Sequence, residues 1–526
     1  MLLHNNETMI RVTSRALLDR TTSCDRRRLF VDFKDVEQAD HIRQTVCQAR
    51  KHPHNPVLRV GMAHEPDGGR CSPWPTRSVV YDAGAKLFRA WCYAIDRGFG
   101  GNPDGQVAYV ESGDGIRWTK PKLGLFDIKG QAGNNLLPEP ARGCSCFFLD
   151  EAERDPARRF KAPGWVEGPI PGKHVPGLCY SADGLTWTRG EALSIKGMTG
   201  RICDPVAFLR DDQEPDPKRR WKLVWQDYAS GGKPGPEMVR HKYLAFGPQP
   251  HRLTVSRLNP FISPNTGREQ EIHFLAYFPY EGLWLSPYEY GFYHPNGLGT
   301  FGQYGADIRL MASRDGERFE RVCPDEPLIA RGPRGSWDGG FLVITQAPVY
   351  VGDEIWFYYA GLGEEWSAWP PGNNPGWPDA SGPARYSRDE MGLAILRRDG
   401  FACVQTADRV TSGSLETKTV KVARKDVDLI VNLGDTADGR DWMEVEVLDA
   451  RTGRALPGFG RGDCDDLTVD SVRAKATWRG KSLSTALRKA GAAIRLRFWL
   501  HGAVRFYSYR FAKSNNQREP ANAIHV

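Results

Sequence analysis

The sequence has no run of about 18 apolar residues, so no transmembrane helix and no membrane partner are expected. It has no CxxC pair with metal spacing, no GxxxxGK[ST], no HExxH and no GxSxG. The simplest zinc, nucleotide, metalloprotease and serine-hydrolase readings fall with them. It has little excess of either charge. Lys plus Arg number 71 against 64 Asp plus Glu, a net +7 over 526 residues. The basic clusters Arg26–Arg28 and Lys218–Arg220 are short and isolated, so nucleic acid is not an expected partner. Histidines number only 12, and His52-Pro-His54 has no third ligand near it in sequence. No metal ligands are therefore assigned and no cofactor is expected; a structural calcium on a propeller axis is left open. The first ten residues show no basic stretch followed by an apolar one, so no secretory signal is expected. The eleven cysteines, an odd number, read as free thiols of a reducing compartment. These features give a cytoplasmic expectation, with secretion left open. Oligomeric state is not addressed by any of them.

What is present is turn and strand. Gly (56) and Pro (37) make up about 18% of the chain, with 11% aromatics and 40% hydrophobic residues. That is a globular, turn-rich composition. One phrase recurs: SGDGIRW at Ser112–Trp118, SADGLTW at Ser181–Trp187, SRDGERF at Ser313–Phe319, and a shortened copy at Arg398–Phe401. Each follows an apolar strand-like run, and Asp-Gly between strands is a hairpin signal. The spacings are 69 residues from Asp114 to Asp183, 132 from Asp183 to Asp315 and 84 from Asp315 to Asp399. The long middle interval holds a degenerate copy at Tyr243–His251.

Each unit also opens alike, with an apolar strand, a polar turn and an aromatic-rich strand, as in SVVYD then LFRAWCYA. Four strands per unit and five units predict an all-β protein, a five-bladed β-propeller followed by a small β-sandwich domain. The expected boundaries are an approach segment over 1–45, the propeller over 46–410, the sandwich over 411–511 and a polar tail over 512–526. The sandwich follows from alternating runs such as DLIVNLG, MEVEVLDA, AIRLRFWL and VRFYSYRF.

The layout resembles bacterial glycoside-hydrolase-like proteins whose propeller is similar to those of glycoside hydrolase families 32, 43 and 68. The resemblance is carried by Leu29–Asp32, Lys51–Leu58 (KHPHNPVL), the SxDGxxW turns, Gly335-Ser-Trp-Asp338-Gly, Gly458–Asp465 and Asp470-Ser-Val-Arg. It implies a carbohydrate substrate and catalytic acids near the propeller axis. The sequence departs from the families' motifs. Blade one lacks Asn-Asp-Pro-Asn-Gly, Cys203-Asp204-Pro205 has Cys where the families have Arg, and no Glu-Cys pair is present. Catalytic residues are therefore chosen by position.

Glycoside cleavage uses two carboxyl groups flanking the bond. Acids at strand-one entrances and in the strand-two-to-three loops face the axial pocket of a propeller. This selects Asp204, Asp338, Glu65 and Glu289 as catalytic candidates, Asp204 first because it directly precedes an apolar inner strand. Trp74, Arg77, Trp337, Tyr288, His294 and Trp366 are the substrate-binding candidates, for stacking and hydrogen bonding to a sugar. Asp82, Asp150, Asp211, Asp212 and Asp353 fall in the opposite hairpins and read as solvated turn residues, and Glu281 lies at the same point of blade four. The repeated turn acids read as structural. The function expected is hydrolysis of a glycosidic bond in an oligo- or polysaccharide, with furanosides among the candidates. The alternatives are a phosphorylase or transglycosylase, which would gather Arg77 or Arg334 at the pocket, and a non-catalytic carbohydrate-binding propeller.

Overall fold

In a computed structural model the described residues are 26–59, 70–72, 78–95, 106–128, 130, 132–228, 239–265, 269–292, 303–363, 366–367, 390–423, 426–436, 440–490 and 493–514. They are almost all strand. Blade one comprises Val79–Asp82, Leu87–Ile95, Gln106–Ser112 and Leu136–Leu137; blade two comprises Phe148–Leu149, Phe160–Glu167, His174–Ser181 and Thr188–Ala192. Blade three comprises Asp204–Arg210, Trp221–Tyr228, Arg240–Gln249 and Arg252–Val255; blade four comprises Phe278–Tyr280, Leu283–Phe292, Gln303–Ser313 and Glu320–Val322. In blade five Phe341–Ile344 and Val349–Val351 share the inner edge of Glu354–Leu362, which pairs with Glu390–Arg397. Its fourth strand is Arg50–Lys51, far back in the chain, antiparallel to Glu390–Arg397. The ring is closed by strand exchange, so blade five has a paired outer edge.

One side chain ties the ring at its centre. Gln346, in blade five, donates from Nε2 to Ser78 Oγ of blade one at 2.7 Å and to the Phe147 carbonyl of blade two at 2.9 Å. Its Oε1 accepts from the Phe208 N–H of blade three at 3.0 Å, and its backbone carbonyl accepts from Tyr277 N–H of blade four at 3.0 Å. All five inner strands therefore meet on one residue.

The repeated phrase is a built turn. Asp114, Asp183 and Asp315 each accept two backbone N–H bonds from the residues two and three ahead, at 2.7–2.9 Å. The preceding serine donates to the aspartate and accepts from the glycine N–H. Burial pushes the Asp315 carboxyl up, but these bonds outweigh it and bring it to about 2. The glycine carbonyls are caught by aromatics of the preceding blade: Gly115 by Tyr358 Oη at 2.8 Å, and Gly184 by Trp91 Nε1 at 2.8 Å. Gly184 has φ +77°, and a Cβ there would lie 2.9 Å from the Trp91 ring. Gly184→Ala is thus expected to cost about 2 kcal/mol or more, from left-handed strain plus a shifted indole, as a lower urea midpoint at unchanged slope; an unchanged midpoint would show the turn to be replaceable.

The hairpin acids are not solvated, contrary to the sequence reading. Asp82, Asp150 and Asp211 are buried. Arg159 of blade two reaches Asp82 of blade one at 2.5 Å, and Arg210 of blade three reaches Asp150 of blade two at 3.3 Å. A cation from the next blade takes the place of water, a register lock between neighbours. Asp212 is exposed as expected, whereas Asp353 is half-buried and held by both Arg473 amino groups of the sandwich at 2.5 Å.

The sandwich is made from both parts of the chain. One sheet orders Ile42–Val46, Ala402–Thr406, Arg505–Lys513, Val427–Gly434 and Ser471–Ala476, with Arg28–Leu29 also on Arg505–Lys513. The other holds Val36–Asp40, Ser412–Thr417, Ala493–His501 and Val420–Lys421, with Trp442–Asp449. Residues read from the sequence as an approach segment thus supply three sandwich strands. The run after Asp399, read as the end of blade five, crosses into the sandwich because Arg50–Lys51 already fills that edge. A short helix, Leu483–Ala490, was not foreseen. The junction is polar: Arg27 meets Glu281 at 2.6 Å, while Asp399 accepts from Tyr280 Oη and Ser508 Oγ, both at 2.5 Å. Glu281 and Asp399 are therefore anchors between propeller and sandwich.

Candidate active site

Strand-one entrances and strand-two ends share one end of the propeller. There, at the seam of blades three and four, charged side chains occupy positions where strand alternation would place apolar ones. Asp204 opens the inner strand of blade three and is half-buried; its Oδ2 accepts from Gln226 Nε2 at 2.8 Å, and the two residues are register partners. The other amide atom, Gln226 Oε1, is buried with no hydrogen-bond partner among the described residues.

Glu289 lies on the second strand of blade four and is 0% exposed. Neither carboxyl oxygen has a hydrogen-bond partner among the described residues. Burial lifts its pKa well above the ordinary carboxylate range, against the opposing pull of the nearby Phe274 N–H and of the Lys242 and Arg240 charges. Native proteins rarely bury such a group unsatisfied, so its presence calls for a reason. A carboxyl raised this way keeps its proton to higher pH than an ordinary one, as a proton donor must.

Around it stand Arg240, Lys242, Glu271 and His273. Lys242 is fully buried, and its Nζ donates to the Ile272 carbonyl at 2.5 Å. Burial pushes this ammonium down to about 7, although Glu271, Glu289 and Asp204 pull it the other way. Arg240 pairs with Glu271 at 3.2 Å and lies over the Tyr228 ring at 4.9 Å. Glu271 is itself raised by burial more than its cations lower it. His273, pushed well below its usual range by burial, is held neutral and stacks on Phe274 at 4.1 Å. Cys203 is driven up to about 12 by burial and the Asp204 charge, so it is not a thiolate nucleophile.

The described ones among the remaining candidates lie elsewhere. Asp338 is buried in blade five, with Lys51 Nζ at 2.5 Å, Tyr359 Oη at 3.0 Å and Ser336 Oγ at 3.2 Å. It holds the ring-closing strand through Lys51. Trp337 stacks on Tyr359 at 5.7 Å and lies against Gly361 and Gly392, where a Cβ would meet its ring at 2.4 and 2.7 Å. One face of the indole is thereby packed. Tyr288 points away from Glu289, as neighbours on a strand must; it is buried and its hydroxyl donates to Glu269 at 2.8 Å. Arg334 is exposed. Trp366 pairs through its backbone with Tyr304, and its side chain lies outside the described residues. Glu65, Trp74, Arg77 and His294 also lie outside them. Among the described residues no group of three or more His, Cys, Asp and Glu could hold a metal ion.

No protein-family model and no curated protein matches the chain. Solved structures do. One is described by the statement that the family 130 of mannoside phosphorylases contains glycoside hydrolases targeting β-1,2-mannosidic linkages in Candida mannan; it is 15% identical, covers 67% of this chain and 94% of its own, and superposes at a TM-score of 0.41. A glycosyl hydrolase from Bacteroides ovatus is 14% identical over 67% of this chain and 94% of its own, at 0.40. A fructofuranosidase from Schwanniomyces occidentalis, in complex with fructosylnystose, is 10% identical over 89% of this chain and 100% of its own, at 0.38.

Sequence reasoning named Asp204 and Glu289 and did not name the buried polar residues around them, Gln226, Arg240, Lys242, Glu271 and His273. A signal was there. In RHKYLAF, Arg240 and Lys242 are in phase with Leu244, and in EIHFLAYF, Glu271 and His273 are in phase with Leu275. Charged residues on the core-facing phase of a strand mark a buried polar cluster.

Proposed function

We propose that this protein is a glycoside-cleaving enzyme in which Glu289 is the proton donor and Asp204 the second carboxyl group. The single observation behind the reading is the Glu289 carboxyl, buried without a hydrogen-bond partner among the described residues and pushed by burial well above the ordinary carboxylate range. Asp204, half-buried, accepts from Gln226 Nε2, which orients its carboxyl group. Two carboxyls in unlike surroundings are the acid and base arrangement of glycosidases. Hydrolysis is preferred to phosphorolysis because the two cations beside this pair are engaged, Arg240 by Glu271 and Lys242 by the Ile272 carbonyl. An oligo- or polysaccharide, with furanosides included, is the proposed substrate class.

The test is a screen of the purified protein against 4-nitrophenyl α- and β-furanosides and pyranosides and matching oligosaccharides, with and without inorganic phosphate. Turnover that is independent of phosphate is expected. Turnover only with phosphate moves the assignment to a phosphorylase. Sugar binding seen calorimetrically, with no turnover on either arm, overturns the enzyme reading.

A further inference from the structure

The outer face of the sandwich carries a second cluster, which shares no residue with the seam of blades three and four. In Ser412–Thr417, Ala493–His501 and Trp442–Asp449, alternate residues such as Leu415, Phe498, Leu500, Met443 and Val445 enter the sandwich core. The other phase faces out, and on it Ser412, His501 and Trp442 are register partners across three adjacent strands. Ser412 is exposed, and its Oγ lies 2.8 Å from His501 Nδ1. His501 Nε2 lies 2.9 Å from Glu444 Oε2 and 3.1 Å from Arg461 Nη2, and Arg461 Nε donates to the same Glu444 oxygen at 2.8 Å. The shorter contact of Nε2 is to a carboxylate, which only accepts, so the ring proton sits on Nε2 and Nδ1 turns its lone pair to the Ser412 hydroxyl. Trp442 stacks on the imidazole at 4.3 Å, and His501 is only 5% exposed. A hydroxyl on an imidazole that a carboxylate orients is the arrangement of an activated nucleophile. No GxSxG motif marks this serine; residues 412, 444 and 501 meet only because their strands pair. We propose that Ser412, His501 and Glu444 form a second active site that cleaves short-chain carboxylic esters, with Ser412 as nucleophile, His501 as base and Glu444 as the positioning residue of the imidazole.

The backbone supplies a donor for the oxygen that becomes negative. Gly502 N–H donates to the Thr411 carbonyl at 3.0 Å, so by the alternation of an antiparallel ladder the Ser412 N–H points to the other side, towards Val36–Asp40. That ladder ends with Asp40 opposite Ser414; His41 then turns away at φ +53°, and Ile42 pairs with Thr406 in the other sheet. The Ser412 N–H thus lies past the end of the ladder, on the nucleophile's own residue, where it can donate to a tetrahedral oxygen. Val410, 78% exposed, precedes Ser412 by two residues, and with Trp442 it gives the site apolar flanks that suit a short acyl chain. The step balances. Ser412 Oγ bonds to the acyl carbon as its proton passes to His501 Nδ1. The ester C–O bond breaks with its electron pair on the alcohol oxygen, which takes that proton and leaves. Water then attacks the acyl carbon and gives a proton to Nδ1. The Ser412–acyl bond breaks with its electron pair on Oγ, which recovers the proton as the carboxylic acid departs.

The test treats the full chain with a biotinylated fluorophosphonate, which reacts with activated serines, and assays it with 4-nitrophenyl acetate and butyrate. Covalent label on Ser412, located by peptide mass spectrometry, and ester turnover are expected. Ser412→Ala, a change at an exposed side chain, should keep the melting temperature, lose the label and lower turnover by about 10²-fold or more. His501→Gln should lower turnover by about 10²–10⁴-fold. Because His501 packs under Trp442, Ser412→Ala remains the deciding variant if the glutamine form does not fold. Glu444→Gln should slow the labelling of Ser412 and lower kcat by at least about tenfold, with KM within about twofold. No label on Ser412 in the wild-type chain overturns the proposal, as does ester turnover undiminished in Ser412→Ala. Labelling at an unchanged rate in Glu444→Gln also overturns it, since the imidazole would then work without its carboxylate.

Discussion

Glu289→Gln is expected to abolish most turnover while making the protein more stable at neutral pH. A missing general acid lowers kcat by about 10²–10⁴-fold, with the larger figure expected for an unactivated leaving group and the smaller for nitrophenolate, which departs without a proton. The stability half follows from linkage. Burial raises the Glu289 pKa in the folded state above its ordinary value. As pH rises from about 4.5, the unfolded chain releases this proton and the folded chain does not, so stability falls with rising pH until the folded group ionises. Glutamine has the shape of the protonated acid and no proton to lose. The variant should therefore match wild type near pH 4 and exceed it near pH 8, as melting temperatures at the two pH values will show. An active variant with an unchanged melting profile would remove Glu289 from both roles.

The largest loss of stability is expected at the ring centre. Gln346→Leu keeps the volume and deletes three side-chain hydrogen bonds. The Phe208 N–H and the Phe147 carbonyl are left buried and unsatisfied, and Ser78 Oγ loses its donor. At roughly 1–3 kcal/mol for each stranded group, the loss is about 3–6 kcal/mol, a large share of a typical total of about 5–15 kcal/mol. Urea unfolding measures it directly. A loss below about 1 kcal/mol would mean that water replaces the amide and that the blades are held by their apolar seams alone.

The architecture was legible because its signals are local. Asp-Gly followed by an aromatic residue at near-constant spacing marks the turn between strands three and four wherever it falls, and Asp114, Asp183 and Asp315 make the same turn. What was not legible depends on pairings between distant residues. Nothing local says that Arg50–Lys51 pairs with Ala394 and Ile395, or that Val36–Asp40 lies beside Ser412–Thr417. The hairpin acids were misread for the same reason: Asp82 looks like a wet turn until Arg159 arrives from another blade. At the site, Asp204 and Glu289 were reachable from blade position. Lys242 and Glu271 are not singled out by blade position, and only their burial in the fold sets them apart.

The ring-closing strand has a consequence for how the chain is made. Arg50–Lys51 leaves the ribosome early, and its partner strand follows more than three hundred residues later. Until then blades one to four can form by neighbour pairing, while the early strand waits on a segment whose own sandwich partners are made later still. Closing so long a loop is entropically costly, and for as long as it stays open the outer edge of blade five can accept a strand from another molecule. Self-association during synthesis or refolding should therefore concentrate on one edge. A peptide spanning residues 46–58, added in trans, would compete for that edge and suppress the association.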